Sequence, residues 1–278
     1  MDLSHLHELF PDADFGFSMK MREGSAAAFF QPTSSSDEIL AERARWLSAA
    51  DSDCAAVQPD GEQLVRSVWK LAETWRVHRV PARPDPSCSL GKVTELGRQW
   101  EPDCLLLAPD NQGQFVLQAG CVCFPSGWSL SEKMGHPLEA IHGIVPGLNP
   151  MIGSRIQTFL TKMKPGGGWR RSNWGISSSP ERNQHPGRRI NQMNSDTPPE
   201  SMWLRIEHQV LTRLPDCDGI LFGIRLENVG MPEFQQDTIL RAGLRRAVVT
   251  MPDVMARYKN IEAIRPAILK FLGKRSES

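Results

Sequence analysis

The stretch Trp203 to Val229, WLRIEHQVLTRLPDCDGILFGIRLENV, holds two apolar runs on either side of Pro215-Asp216-Cys217-Asp218-Gly219. Those five residues favour a tight reversal, so the runs read as the two arms of a hairpin. Strand alternation sends Leu204, Ile206, His208 and Val210 to one face of the first arm and Arg205, Glu207 and Gln209 to the other. The first face is apolar with one histidine set into it. The second carries three polar side chains in a row, which ordinarily marks a solvated surface.

Working outward, CLLLAPDNQGQFVLQAGCVCF from Cys104 gives a second hairpin, with its turn at Asp110-Asn111-Gln112-Gly113. Between the hairpins, Leu130 to Met163 reads as short helices punctuated by Pro137, Pro146 and Pro150. Lys164-Pro165-Gly166-Gly167-Gly168 closes that region, and RRSNWGISS follows as a further strand. Ser177 to Ser201 is rich in Ser, Asn, Arg and Pro, and reads as a mobile loop.

Upstream, DEILAERARWL from Asp37 has helical spacing, with Ser34 to Ser36 available as a cap. A second helix is predicted from Gly61 to Val77, and a short one over KVTELGRQW, after a connection marked by Pro81, Pro84 and Pro86. The end of the chain, from Pro232 to Leu272, reads as helical. The order is two strands, short helices, three strands and terminal helices. It predicts an α+β fold, an antiparallel sheet with helices on one side, an order that PAS domains share with other α+β folds. Three segments are expected: a helical N-terminal lobe (1–100), the sheet core (101–230) and C-terminal helices packing on it (231–278).

Composition narrows the function. Lys and Arg together number 32, as do Asp and Glu, so no net field recruits nucleic acid or an anionic membrane. The longest apolar runs fall far short of a bilayer span. The opening residues carry Asp2, Glu8, Asp12 and Asp14 where a secretory leader needs a basic start and an apolar stretch, so cytoplasmic residence is expected. Six cysteines include no CxxC pair; Cys121 and Cys123 share one strand face, but two thiols do not complete a metal site.

Several motifs occur in a fixed order: Phe124-Pro125-Ser126-Gly127-Trp128, Glu132-Lys133-Met134-Gly135, Ile141-His142-Gly143-Ile144-Val145-Pro146, Arg171-Ser172-Asn173-Trp174, the strand from Arg205, and Tyr258-Lys259. Together they resemble the sequence blocks of the haem-dependent oxidative N-demethylase family. The resemblance implies a PAS-like domain holding haem b, which oxidises a methyl group on a secondary amine with oxygen. It also implies electrons from a separate flavin and iron–sulfur reductase, since this chain has no cysteine pattern for a cluster and no dinucleotide fingerprint. The alternative is a PAS-like sensor or interaction module that binds haem or another ligand without turnover.

Site candidates follow from the same blocks. His142 is the favoured axial ligand, against a core histidine that merely fixes the turn before Val145-Pro146. His208 is the second candidate, against a simple hydrogen bond across the sheet. The family pattern leads one to expect Glu-Arg-Gln where this chain has Glu207-His208-Gln209, so a fixed cation is replaced by a potential ligand. Lys133, Arg171, Asn173 and Trp174 are candidate cofactor contacts. Arg205, Glu207 and Gln209 are the candidate catalytic set, with Arg205 available to a carboxylate and Glu207 to an ammonium group. Since Glu207 and His208 face opposite ways, they compete for one haem unless the strand bulges.

Overall fold

In a computed structural model of the protein, residues 2–17, 19–77, 88–190 and 192–273 are described. His78 and the connection carrying Pro81, Pro84 and Pro86 lie outside the described residues. The strands are β1 (Arg22–Gly24), β2 (Ala55–Val57), β3 (Asp103–Pro109), β4 (Phe115–Cys121), β5 (Gly168–Ser177), β6 (Trp203–Arg213) and β7 (Ile220–Gly230). They form one antiparallel sheet in the order β1-β5-β6-β7-β3-β4-β2. The helices are α1 (Ala26–Phe29), α2 (Ser36–Leu47), α3 (Glu62–Trp75), α4 (Ser89–Gln99), α5 (Leu138–His142), α6 (Ser154–Lys162), α7 (Met231–Gln236), α8 (Thr238–Thr250), α9 (Asp253–Tyr258) and α10 (Arg265–Gly273).

The fold is α+β with the expected PAS-like sheet: a first hairpin, a helical connection, then three consecutive strands, the last of which pairs with the first strand of the hairpin. Local chemistry makes each reversal. In the β3–β4 turn, Asp110 Oδ1 accepts from Gln112 N at 2.8 Å and Gln114 N at 2.9 Å, and Gly113 takes φ +77°. Leu214 N donates to Gly219 O at 2.9 Å to close the β6–β7 hairpin.

Because β6, β7 and β3 separate β4 from β5, the connecting segment must cross a sheet face, and α5 and α6 lie along that crossing. Ile141, Ile156, Phe159 and Leu160 pack there against Leu105, Leu107, Leu211 and Phe222. The opposite face is covered too, from two ends, so helices lie on both sides of the sheet and not on the one side expected. Leu204 and Ile206 meet α8 and α10 through Leu240, Leu244 and Phe271; Val210 and Leu221 meet α3 and α4 through Leu64, Val68 and Leu96.

The first hundred residues do more than form a helical lobe. They supply both edge strands, and Leu3, Leu6 and Phe10 join the core of the C-terminal helices. Two local expectations are corrected. Ser35, at the start of α2, makes no side-chain cap, and the buried Ser36 hydroxyl turns to Glu101. The stretch after Ser177 is latched rather than loose: Asn183 is buried, Gln184 N donates to Pro125 O, and Gly127 N donates to Gln184 O, each at 3.0 Å. Its scarcity of apolar residues misleads because polar contacts hold it.

Candidate functional site

β6 pairs with β5 and β7 in continuous register, so no bulge merges its two faces. Register places Arg171 beside Gln209 and Asn173 beside Glu207, giving one polar face from two strands. Ser172, His208 and Glu227 share the other face. The candidates His142 and His208 are thereby separated. His142 ends α5, on the side of the crossing segment, within electrostatic reach of Arg171.

Glu207 is the hub of the polar face. Its carboxylate accepts from Ser126 Oγ at 2.7 Å and from Gln209 Nε2 at 3.1 Å, and it interacts electrostatically with Arg171, Lys259 and Tyr258. Burial lowers the pKa of Arg171, with Glu207 opposing, and the buried Arg171 Nε has no hydrogen-bond partner among the described residues. Burial, followed by the charge of Arg171, also lowers the pKa of His142 and so favours the neutral imidazole. Asn173 is exposed at the free part of the β5 edge, and Ile144 and Met151, just after α5, are each 58% exposed.

Arg205 has a different task from the anion contact expected of it. It is 4% exposed, and its Nε donates to Ser126 Oγ at 2.7 Å. Its terminal nitrogens donate to the carbonyls of Phe124 (2.8 Å), Pro125 (3.2 Å), Glu181 (3.1 Å) and Arg182 (2.6 Å). A buried guanidinium held by five such contacts, four of them to backbone oxygens, has at most one Nη1 N–H left for a carboxylate. Burial pushes it down to about 10, against the charge of Glu207.

Trp174 faces away from the polar side, into the core beside Phe10, with ring centroids 5.4 Å apart. Lys133 lies in the turn after Leu130, where its N–H donates to Leu130 O and its carbonyl accepts from His136 N. Lys259, by contrast, was quoted only as part of a motif. From the end of α9 it donates to Trp174 O at 2.6 Å and sits 4.9 Å from the indole centroid. Burial lowers its pKa to about 8, with Glu207 opposing and Arg171 reinforcing. A lysine joining the site from a distant helix has no local sequence signal.

The thiols are elsewhere. Cys54, Cys104, Cys121 and Cys123 are buried and free, and burial pushes Cys104 up to about 11. They sit near the buried Arg43–Asp103 pair, and the Cys104 thiol, held protonated by burial, is unreactive.

A family described as haem-dependent oxidative N-demethylase, alpha subunit-like, matches residues 38–269. The chain belongs to this family. The match takes in His142, Arg171, Glu207 and Lys259 together, and the family description carries both haem dependence and oxidative chemistry. Among the described residues of this family member, no helix is long and apolar enough to cross a membrane.

The polar face fits a haem by its donor set. The His142 imidazole is of a type that could ligate iron, and Arg171 on this face and Lys259 beside Trp174 are cations that could meet carboxylates, the Arg171 Nε having no hydrogen-bond partner among the described residues. Exposed apolar side chains follow in the same helical segment as the imidazole.

Proposed function

We propose that the sheet face bearing Arg171, Asn173 and Glu207 would hold haem b, with His142 as the residue that would ligate its iron. The protein would then oxidise a methyl group of a small amine, using oxygen and electrons from a separate flavin and iron–sulfur reductase. The observation that carries this reading is the coincidence of family membership with a His142 imidazole, favoured neutral by burial, within electrostatic reach of Arg171 on a carboxylate-centred sheet face.

When bound, haem supplies oxygen activation: with two electrons and two protons, one oxygen atom enters the methyl C–H bond and the other leaves as water, and the hydroxymethyl amine then releases formaldehyde. The rest is the work of side chains. Arg171 and Lys259 would neutralise the haem carboxylates. Glu207, held by Ser126 and Gln209, accepts a hydrogen bond from the substrate ammonium and orients its methyl group. Lys259, with a pKa near 8, can hold or release a proton beside Glu207. Arg205 keeps the Phe124–Ser126 and Glu181–Arg182 segments closed over the strand, which excludes water.

The test is protein purified from haem-supplemented cells. A strong Soret band is expected, altered in position or lost in His142→Ala and unchanged in His136→Ala. Reduced holoprotein given oxygen, a reductase and a panel of methylated amines should release formaldehyde. A folded protein with no Soret band would overturn the proposal, whereas a Soret band without formaldehyde would point to a sensor.

A further inference from the structure

The face of β6 that the proposed haem site does not use carries a second constellation. Glu227 Oε2 lies 2.7 Å from His208 Nε2, and both Glu227 oxygens lie 3.1 Å from His5 Nε2. The three ligand atoms are all within 4.8 Å of one another. In a tetrahedral site with metal–ligand bonds of about 2.0–2.2 Å, neighbouring donors are about 3.3 Å apart, so only small adjustments bring these three onto one ion.

The supports are built as well as the ligands. Ser172 Oγ is 3.1 Å from His208 Nδ1, where it can accept the ring N–H that a metal-bound imidazole must donate on its far side. His208 and Glu227 stand on adjacent paired strands, which fixes their separation. His5 belongs to a 3₁₀ turn, Ser4–Leu6, pinned by the buried Leu3 and Leu6, so this N-terminal residue is held in place rather than dangling. All three line a cavity of about 1070 Å³. Three protein ligands and an adjoining cavity leave coordination positions open to water or a small ligand.

We infer that His5, His208 and Glu227 bind one divalent transition-metal ion of the zinc and ferrous class, on the sheet face opposite the polar one. Two imidazoles and a carboxylate suit those ions, whereas calcium and magnesium demand more oxygen donors. The ion would also staple the N-terminal turn to the central strands. The arrangement depends on His208, the residue at which this chain departs from the Glu-Arg-Gln expected above.

The experiment uses untagged full-length protein stripped with a chelator, titrated with Co²⁺ by visible absorption and with Zn²⁺ by calorimetry. One equivalent should bind, with ligand-field absorption for cobalt. Glu227→Gln and His208→Ala should each weaken binding at least about 10-fold, since even outer contacts of a metal site are worth that much. His136→Ala should not. His5→Ala, a change at a half-exposed surface residue, should abolish the rise in Tm that zinc gives the parent protein. Binding unaffected by Glu227→Gln and His5→Ala, or no binding above that of the His5→Ala/Glu227→Gln double variant, would overturn the inference. The haem proposal is tested separately: Glu227→Gln should keep the parent's Soret band, and a parent that takes up no haem leaves the metal result standing.

Discussion

Arg205 and Glu207, two residues apart on the same face of one strand, share a single serine: Ser126 Oγ accepts from Arg205 Nε and donates to Glu207 Oε1, both at 2.7 Å. The arginine is thus an organiser and the glutamate the available acceptor. Their common partner comes from the Phe124–Trp128 motif, so that motif acts by fixing the strand's polar side chains.

Replacing Arg205 tests the organising role. Arg205→Lys keeps the charge but cannot reach carbonyls from two segments with one ammonium group. Stranding those acceptors should cost about 3 kcal/mol, at a typical 1–3 kcal/mol per unsatisfied buried group. Urea unfolding should show the loss, and limited proteolysis should cut first between residues 178 and 190. An unchanged digestion pattern would remove the latch from the account.

Glu207→Gln preserves shape and hydrogen bonding to Ser126 while deleting the charge. If the carboxylate recognises an ammonium, KM for a methylated amine should rise about 10–100-fold, the worth of a charge-assisted hydrogen bond of about 1.5–3 kcal/mol. The Soret band should persist. Equal kinetics for the two proteins would show that the substrate cation binds elsewhere.

Lys259 makes a pH prediction. Its pKa falls from the model-compound value of 10.5 to about 8 in the fold, so between those values the unfolded chain holds more protons than the native one. Stability contributed at this position therefore rises as pH increases from about 8 to 10.5, and is lowest below pH 8. Lys259→Met should flatten that portion of the stability curve, measured by denaturant midpoints across the range. A parallel pair of curves would refute a buried, titrating lysine.

Asp103 stands at the start of β3, where its carboxylate accepts from Arg43 Nη1 at 2.5 Å, Cys123 N at 2.7 Å and Phe124 N at 3.1 Å. Arg43 is fully buried. Asp103→Asn leaves that guanidinium without a counter-charge and should cost about 3–5 kcal/mol. Chemical denaturation should show it, and a loss below 1 kcal/mol would mean that the backbone carbonyls of Gly97 and Glu101 suffice to hold Arg43.

Local signals made the strands legible. The apolar runs from Cys104 and the alternating strand from Trp203, with their Asp- and Gly-containing turns, correspond to β3–β4 and β6–β7 because hairpins are built from contacts close in sequence. The same alternation correctly divided Glu207 from His208. The short edge strands β1 and β2 were not legible: three residues each, they exist only because β5 and β4 offer unpaired edges. The polar stretch after Ser177 was misread because its anchor, Arg205, lies on the strand that follows.

By itself the sequence determined the antiparallel PAS-like sheet, the family and the two-faced character of β6, since each rests on patterns a few residues long or on motifs in order. Only the tertiary structure decided what those faces meet. Folding brought Lys259 from the end of α9 to Trp174 within electrostatic reach of Glu207, and His5 from the N-terminal turn to His208 and Glu227, and turned most of the donors of Arg205 onto two loops. Such pairings are set by burial and by the search of buried polar groups for partners across the chain, and residue spacing carries no record of them.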